Sequence, residues 1–494
     1  MDIKIVYKQW RHNKSHVDYK TKNQIVLAHE NWDDFGYQNL YEVHYVNNNM
    51  EYYYLGETKI MSIKSNTTIE KILIENDYKY LDDSCASIGL FNFYENLMSL
   101  DDDIKKYLLE VIKDCIYNPS IFNKFEDSIV MKTSLLRDTN YEDIKEEYSP
   151  MIFKNQYINT RFSLDIKLDR DMDDEIIINV HPESTPPTNI HAFIGRNSSG
   201  KTQLLEAIFK YYYNNYIDNV FYNYDNIHNN FYTKLQLFNI RFNQMIYIPI
   251  NINDDLREIM NKKNRDIKII DRYNNNIDDL KRSLQICLND RIMVKLWKNT
   301  IKKLETDPLF KELELSNIDR NNIEQSIKDI ISKYEKSSSG HKFILLTITK
   351  IVQMITPKSL VLIDEPENHL HPPLLSSFIR AMSYFLIQRN GFAILATHSP
   401  VVLQEIPQSC VYVLNRFGNE ISVRKPSIET FAENIGTLTR EVFRLEVENS
   451  GFYEALKEEV NNGESYESIL NKYGNQIGLE GRSIIATLLA NKDY

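Results

Sequence analysis

The sequence predicts an α/β fold in which helices flank a parallel core sheet, with a β-then-helical region ahead of it. Three segments predict the sheet: HAFI, SLVLI and GFAILA are short apolar runs typical of strands buried on both faces. Helical patterns, TQLLEAIFKYY and KFILLTITKIVQMI, lie next to the first two. Because strands that alternate with helices pair in parallel, we expect the three segments in one sheet.

Residues 1–148 are predicted to form an N-terminal region. Up to about residue 75, the runs IKIVYKQW, NQIVLAH, YEVHYV and YYYLGETKIM are separated by polar, Asn-rich turns and predict short strands. From about residue 76 to 148 apolar residues recur three and four apart, as in DDDIKKYLLEVIKDCI, which predicts helices. The region is therefore expected to be β-rich first and helical afterwards.

Four further parts follow along the chain. Residues 149–251 contain the strands RFSLDIKLD and DEIIINVHP, which predict a mixed β lobe, and the first part of the core. Residues 252–335 are polar and periodic, from DDLREIMNKKNRDIKII to NNIEQSIKDIISKYEK, and predict a helical lobe. Residues 336–424 contain the second part of the core. Residues 425–494 are mainly helical in pattern and contain no recognisable motif.

Composition excludes several classes of protein. The 494 residues suffice for two or three domains, and no stretch approaches the roughly 20 apolar residues of a membrane span. The N-terminus lacks the pattern of a signal peptide, and the four cysteines lack metal-ligand or disulfide spacing, so a cytoplasmic location is expected. A net charge of -11 argues against a surface devoted to nucleic acid, although it leaves a local basic strip open.

A phosphate-binding loop is predicted between the strand HAFI and the helix after it. Eight residues match G-x-x-x-x-G-K-[ST], and the strand before and the helix after supply the context that the motif requires. The glycines allow backbone N–H groups to approach phosphate, the lysine adds charge, and the threonine hydroxyl is placed to bind Mg²⁺. The residues are Gly195, Arg196, Asn197, Ser198, Ser199, Gly200, Lys201 and Thr202.

Two adjacent carboxylates end the next apolar strand of the prediction. The segment VLIDEPE delivers Asp364 and Glu365 to the carboxyl edge of the sheet, where open α/β sheets bind ligands. We expect Asp364 to hold Mg²⁺ and Glu365 to polarise the attacking water as a general base. By itself an apolar run ending in Asp-Glu would equally fit a strand that meets solvent, and the phosphate loop upstream favours the functional interpretation.

A histidine follows the third apolar strand. His398 lies in ATHSP, about thirty residues after the acidic pair, and is expected to reach the γ-phosphate. Taken alone, a histidine at the end of a strand would more often be a simple cap. Its position on the neighbouring predicted strand favours a role in catalysis.

The order of GRNSSGKT, SSSGHK, VLIDEPENHLHP and ATHSP resembles that of the ABC-type ATPase superfamily, in the branch with SMC, RecF-like and OLD-type proteins. The resemblance covers residues 190–400 and implies binding and hydrolysis of ATP with Mg²⁺. It also implies a dimer that shares its ATP sites. Ser338, Ser339 and Gly340 resemble the signature sequence of this branch, which touches the γ-phosphate bound to the other subunit. His341 replaces the acid or amide that usually follows.

Two more features follow from the resemblance. ENHLHP resembles the D-loop, which crosses the dimer interface, and its two histidines, His369 and His371, lack the further ligands that a zinc site needs. The family also has a glutamine that couples the metal to the moving lobe. Gln244, just before the strand MIYIPI, is the candidate for this metal-contacting position.

The remaining parts narrow the class of ATPase. About 135 residues separate the phosphate loop from the signature, too few for long coiled-coil arms. The LSGGQ and DEPT motifs of transporters and the acids of a TOPRIM nuclease are not found. The chain therefore looks most like the stand-alone ATPases of bacterial anti-phage systems, such as the Septu ATPase or its retron-linked version, which act as a sensor and scaffold for a separate effector such as an HNH nuclease.

Two alternatives remain open from the sequence. One is a RecF-like ATPase of DNA repair, which binds duplex DNA across the dimer and predicts strongly salt-dependent binding. The other is an ATP-gated scaffold with very slow hydrolysis.

Overall fold

The chain forms two compact units, residues 1–159 and residues 160–494. The predicted boundary at residue 148 is wrong, because it falls inside the helix Tyr141–Lys154. A computed structural model describes the following residues: 3–9, 21–30, 36–64, 67–136, 140–155, 161–167, 175–216, 236–238, 242, 244–262, 266–272, 277–319, 322–417, 420–448 and 451–492.

The N-terminal unit contains a five-stranded sheet with its strands in chain order. The first two strands pair in parallel and the others are antiparallel. The strands are β1 Lys4–Gln9, β2 Gln24–His29, β3 Leu40–Val46, β4 Tyr52–Ser62 and β5 Cys85–Gly89. Strand β5 lies in the part predicted to be helical. Its sequence, CASIG, is too short to show a strand periodicity.

Helices and the sheet of the N-terminal unit share one apolar core. Side chains such as Leu27 from β2, and Phe93 and Leu108 from the helices, are completely buried in it. The helices are α1 Ile69–Glu75, α2 Phe91–Leu97, α3 Asp102–Val111, α4 Pro119–Phe125 and α5 Tyr141–Lys154, and Met131–Leu135 forms a π-helical turn.

The C-terminal unit is built around a seven-stranded sheet in the order β11-β10-β12-β13-β8-β14-β15. Every neighbouring pair is parallel except β14 with β15. The strands are β8 Ile190–Ile194, β10 Gln244–Ile248, β11 Ile267–Ile269, β12 Ser359–Asp364, β13 Phe392–Thr397, β14 Val411–Phe417 and β15 Glu420–Arg424. The predicted parallel α/β core is confirmed. Strand β11 lies within residues 252–335, which the sequence predicts to be a helical lobe.

A second, antiparallel sheet covers part of this unit. Its order is β7-β6-β9, from Glu175–Val180, Phe162–Lys167 and Gln236–Phe238. The side chains of Leu164 and Ile178 are completely buried beside the first helix of the core. These strands form the β lobe that the sequence predicts.

Helices cover both faces of the parallel sheet. Successive side chains of a strand point to opposite faces, so Leu362 packs in one cluster while Ile363 packs in the other. The helices are α6 Lys201–Tyr216, α7 Asp254–Asn261, α8 Ile277–Asn289, α9 Arg291–Leu304, α10 Pro308–Leu313, α11 Ile323–Lys336, α12 Ser339–Met354, α13 Pro372–Gln388, α14 Pro400–Leu403, α15 Ile435–Glu448, α16 Gly451–Asn461, α17 Tyr466–Lys472 and α18 Leu479–Lys492. Among the residues that the structure describes, no helix has the length and apolar character of a membrane span.

Candidate nucleotide-binding site

The phosphate loop lies between β8 and α6, at the carboxyl edge of the parallel sheet. Its backbone is left-handed at Ser198 (φ 68°) and Gly200 (φ 95°), as expected for a tight turn. A Cβ atom at Gly195 would lie 2.3 Å from the carbonyl oxygen of Leu414. The path of this loop therefore requires glycine at position 195, and the residues after it lead directly into the amino end of a 16-residue helix.

Lys201 is folded across the loop. Its side chain is buried, and Nζ donates to the carbonyl oxygens of Gly195 at 2.9 Å and Arg196 at 2.8 Å. A buried ammonium group needs acceptors, and a phosphate oxygen is a stronger acceptor than a neutral carbonyl. The charge is thus fixed at the centre of the loop that the motif predicts.

The other predicted loop residues shape its rim. Ser199 is buried, its N–H donates to the carbonyl of Arg196 at 3.2 Å, and its hydroxyl has no hydrogen-bond partner within the described chain. Asn197 is exposed, and the carbonyl of Ser198 accepts from Arg416 at 3.4 Å. The loop is therefore held by its own backbone and by the neighbouring strand β14.

Asp364 ends β12 directly beside the loop. Thr202 Oγ1 donates to its Oδ1 at 3.0 Å, and its Oδ2 is buried without a hydrogen-bond partner in the part of the chain that the structure describes. Burial raises the pKa of Asp364 to about 6, and the hydrogen bond from Thr202 opposes the rise. A hydroxyl beside a carboxylate with an unsatisfied buried oxygen fits a divalent cation that prefers oxygen ligands.

Glu365 takes a left-handed backbone conformation, with φ 44°. Its N–H donates to the carbonyl of Ala396 at 2.8 Å, so the strand ends at Asp364 and the chain turns away. Residues other than glycine, Asn and Asp rarely adopt this conformation, and strain of this kind is typical of functional positions. The two carboxylates are therefore separated by a backbone turn.

His398 follows β13, and its imidazole faces two carboxylates. Nδ1 lies 3.0 Å from Oε1 of Glu367 and 3.9 Å from Oε1 of Glu365. The same Oε1 of Glu367 also accepts from Thr397 Oγ1 at 2.8 Å and from the N–H of His398 at 2.7 Å. Glu367, which the sequence analysis left without a catalytic role, therefore orients the histidine beside Glu365.

Arg272 is a second residue that the sequence analysis missed. It follows β11, it is buried, and its guanidinium donates to the carbonyl oxygens of Asp364 and of Glu365, the latter at 2.8 Å. The guanidinium also lies over the ring of Phe343, with 5.0 Å from its carbon to the ring centroid. The only signal was an arginine two residues after the short run IKII, and this run lies in a segment interpreted as helical.

Gln244 requires a correction. It begins β10 and pairs with Ser359, the first residue of β12, whereas Asp364 is the last residue of β12. Its amide nitrogen donates to the carbonyl of Met354 at 3.1 Å, and its oxygen accepts from Thr356 N–H at 3.1 Å. Gln244 therefore lies at the amino ends of the strands, whereas Asp364 lies at their carboxyl ends. Its role is structural, and the prediction that it contacts the metal is wrong.

The signature segment opens α12. Ser338 is the N-cap of this 16-residue helix, and both Ser338 and Ser339 are exposed. Gly340 is buried, and a Cβ atom there would lie 2.8 Å from the carbonyl oxygen of His369. The glycine thus lets the helix start lie directly against ENHLHP. Hydroxyl groups and the positive end of a helix are presented to solvent, an arrangement suited to an anion.

The chain is similar to several known proteins. A family model described as "AAA domain, putative AbiEii toxin, Type IV TA system" matches residues 213–404, which begin after the phosphate loop. Protein ea59 of Escherichia phage lambda is 34% identical over 507 residues, covering 96% of this chain and 96% of that protein. The comparisons do not support the narrower resemblance to Septu or retron-linked ATPases.

Two solved structures are similar at 13% identity. One is described as "An inward-facing conformation of a putative metal-chelate type ABC transporter"; it has a TM-score of 0.31 and covers 58% of this chain and 90% of its own. The other is the SMC head domain from Thermotoga maritima, with a TM-score of 0.27 and coverage of 54% and 99%. At these scores neither structure adds to the argument from the strand order and the site.

Proposed function

Since the chain belongs to the family of the phage lambda protein ea59, with a P-loop ATPase fold, we propose that it binds and hydrolyses ATP at a site that a second copy completes. One observation carries the proposal: Thr202 of the phosphate loop and Asp364 of the acidic pair, 162 residues apart, are joined by a 3.0 Å hydrogen bond. Folding has therefore brought the phosphate-binding and acidic motifs into one site.

Binding of the triphosphate rests on the loop. The backbone from Gly195 to Gly200 curves around the start of α6, whose positive end favours an anion, and Lys201 supplies a buried positive charge. Thr202 and Asp364 would hold Mg²⁺, which when bound neutralises charge on the phosphate oxygens. In the described residues no group of three or more His, Cys, Asp and Glu side chains could hold a metal alone, so the nucleotide and water would supply the remaining ligands.

Hydrolysis would use the residues at the ends of β12 and β13. Glu365 is the general base that orients and polarises a water molecule, and His398, held by Glu367 at 3.0 Å, stabilises charge on the γ-phosphate. The hydrogen bonds from Arg272 to the two carbonyl oxygens fix the turn that separates Asp364 from Glu365. Positioning of this kind is the main contribution that a protein makes to phosphoryl transfer.

The second copy would supply the signature. Ser338 and Ser339 are exposed at the start of α12, so another molecule can reach them. In this arrangement the serine hydroxyls and N–H groups of one copy face the γ-phosphate held by Lys201 of the other. The two copies would then associate closely only when ATP is bound, because the triphosphate lies between the signature of one copy and the phosphate loop of the other.

The test of the proposal is a comparison of ATP binding and phosphate release. Lys201→Ala should abolish binding, whereas Glu365→Gln should bind ATP and lose turnover about 100- to 10,000-fold. Glu324→Gln, which neutralises an exposed glutamate at the start of α11, is the matched control. A parent protein that binds no ATP would refute the proposal, and unchanged turnover in Glu365→Gln would remove Glu365 from the mechanism.

We further propose that this ATPase controls a separate effector in defence against phage. Support comes from the sequence, in which the acids of a TOPRIM nuclease are not found, and from the family description, which names a toxin–antitoxin system. Co-purification from the native operon, with mass spectrometry of the bound proteins, tests the proposal: a nuclease supports it. Binding of duplex DNA at low salt, without a protein partner, would instead favour the RecF-like alternative, which the net charge of -11 disfavours.

A further inference from the structure

Three side chains form a hydrogen-bonded chain behind the signature segment. Ser338 Oγ lies 2.7 Å from Nδ1 of His341, and Nε2 of His341 lies 3.1 Å from Oδ1 of Asp307. We infer that Asp307 is a positioning residue of the nucleotide site, which by holding His341 fixes Ser338 and the start of α12 where they face the γ-phosphate of the second copy. The inference rests on the proposed ATPase function.

Asp307 is itself rigidly placed. It is buried, and Oδ1 accepts from the N–H groups of Leu309 at 3.0 Å and Phe310 at 3.2 Å, as the N-cap of α10. The preceding residue, Thr306, is 2.8 Å from the hydroxyl of Ser377 on α13. The carboxylate is therefore fixed by the start of α10, and the residue before it is bonded to α13.

The imidazole of His341 is fixed by its neighbours. It is buried, its ring lies 5.2 Å from that of Phe310, and a carboxylate can only accept, so Nε2 bears a proton toward Asp307. In the neutral imidazole Nδ1 then accepts from the Ser338 hydroxyl, which leaves the backbone N–H groups at the start of α12 to face a phosphate. An exposed serine would otherwise rotate freely, and this hydrogen bond fixes the side chain and the helix start beside it before a phosphate arrives.

The second oxygen of Asp307 faces the D-loop side. Oδ2 lies 3.9 Å from Nε2 of His371, which caps α13 by accepting from the N–H of Leu374 at 3.2 Å. Asp307 thus lies between the signature and ENHLHP, the two segments expected at the dimer interface. One buried carboxylate can keep both in register, although it lies 34 residues before His341 in the helical lobe.

Asp307→Ser breaks the link with little loss of helix capping. Serine is as good an N-cap as aspartate, but its side chain is too short to hold His341. Turnover should fall about ten- to a hundredfold, with KM for ATP changed less than about twofold, since the phosphate loop is intact. Asp290→Ser is the matched control: Asp290 also caps a helix, α9, by accepting two backbone N–H groups, and should retain turnover.

A double-mutant cycle with Ser338→Ala separates positioning from general destabilisation. ATP-dependent self-association, measured by ultracentrifugation, should weaken in Asp307→Ser but not weaken further when Ser338 is already alanine. Equal losses in both backgrounds overturn the inference. If Asp307→Ser does not fold, His341→Leu breaks the same chain with the cap intact and should show the same non-additivity. A parent that neither binds ATP nor associates with it refutes the proposed function instead.

Discussion

The guanidinium of Arg272 donates to the backbone carbonyl of Glu365 at 2.8 Å, and it also donates to that of Asp364. A residue after an edge strand therefore fixes the turn between the carboxylates of Asp364 and Glu365. Glu365 has a left-handed backbone, with φ 44°. Hydrogen bonds from neighbouring groups, including Arg272, stabilise this strained conformation.

Replacing Arg272 with methionine should impair both stability and turnover. The change leaves buried carbonyl oxygens without donors, which costs about 1–3 kcal/mol for each unsatisfied group. Denaturation in urea gives the loss of unfolding free energy, and phosphate release gives the loss of turnover. Arg282→Met, at a side chain that is 70% exposed on α8, should leave both nearly unchanged. Normal turnover in Arg272→Met would show that the turn does not need this arginine.

Gly195→Ala should prevent the phosphate loop from keeping its path. The new methyl group would lie 2.3 Å from a backbone oxygen, and overpacking of this kind costs about 1–3 kcal/mol. Affinity for ATP, measured by calorimetry, should fall more than tenfold, by an order-of-magnitude estimate from that energy. Gly451→Ala is the control, since no atom lies within 4 Å of a Cβ there. Wild-type affinity in Gly195→Ala would contradict the close approach to Leu414.

Asp364→Asn should be more stable than the parent at neutral pH when nucleotide and metal are absent. The pKa of Asp364 is raised from 3.8 to about 6 in the folded state, so the folded state binds more protons than the unfolded state between these values. The parent therefore loses about 2 kcal/mol of stability as pH rises from 4 to 7.

Urea denaturation of both proteins at pH 4 and pH 7 isolates this effect. Asp114, whose pKa is also raised to about 6 by burial, is present in both proteins and cancels in the difference. The stability difference between the variants should be small at pH 4 and should grow toward pH 7. A difference independent of pH would show that Asp364 is not the group responsible.

Gln244→Leu should destabilise the fold without changing the Mg²⁺ dependence of turnover. Its amide makes buried hydrogen bonds with Met354, Thr356 and Ser359, and losing them costs about 2–4 kcal/mol. The melting temperature measures the loss of stability, and a Mg²⁺ titration of ATPase activity measures the dependence on Mg²⁺. Gln285→Leu, at an exposed position of α8, is the control. A changed requirement for Mg²⁺ would restore Gln244 to the metal site.

The parallel core, the phosphate loop and the acidic pair could be predicted from the sequence alone. These features are local: Lys201 and Thr202 belong to one contiguous motif, and Asp364 ends an apolar strand, so short-range patterns reveal them. The N-terminal strands were also visible, because alternation in a segment such as YEVHYV needs no knowledge of its partners.

By contrast, four residues could be placed only once the three-dimensional fold was known: Arg272, Gln244, Glu367 and Asp307. Strand β11 is three residues long and is a strand because β10 pairs with it, and this pairing brings Arg272 to the acidic pair. The place of Gln244 in the sequence suggested a contact with the metal. The direction of its strand puts it at the amino ends of the sheet, away from Asp364. Hydrogen bonds between distant segments depend on which helices and strands pack together. That packing is set by the whole hydrophobic core and not by any short segment.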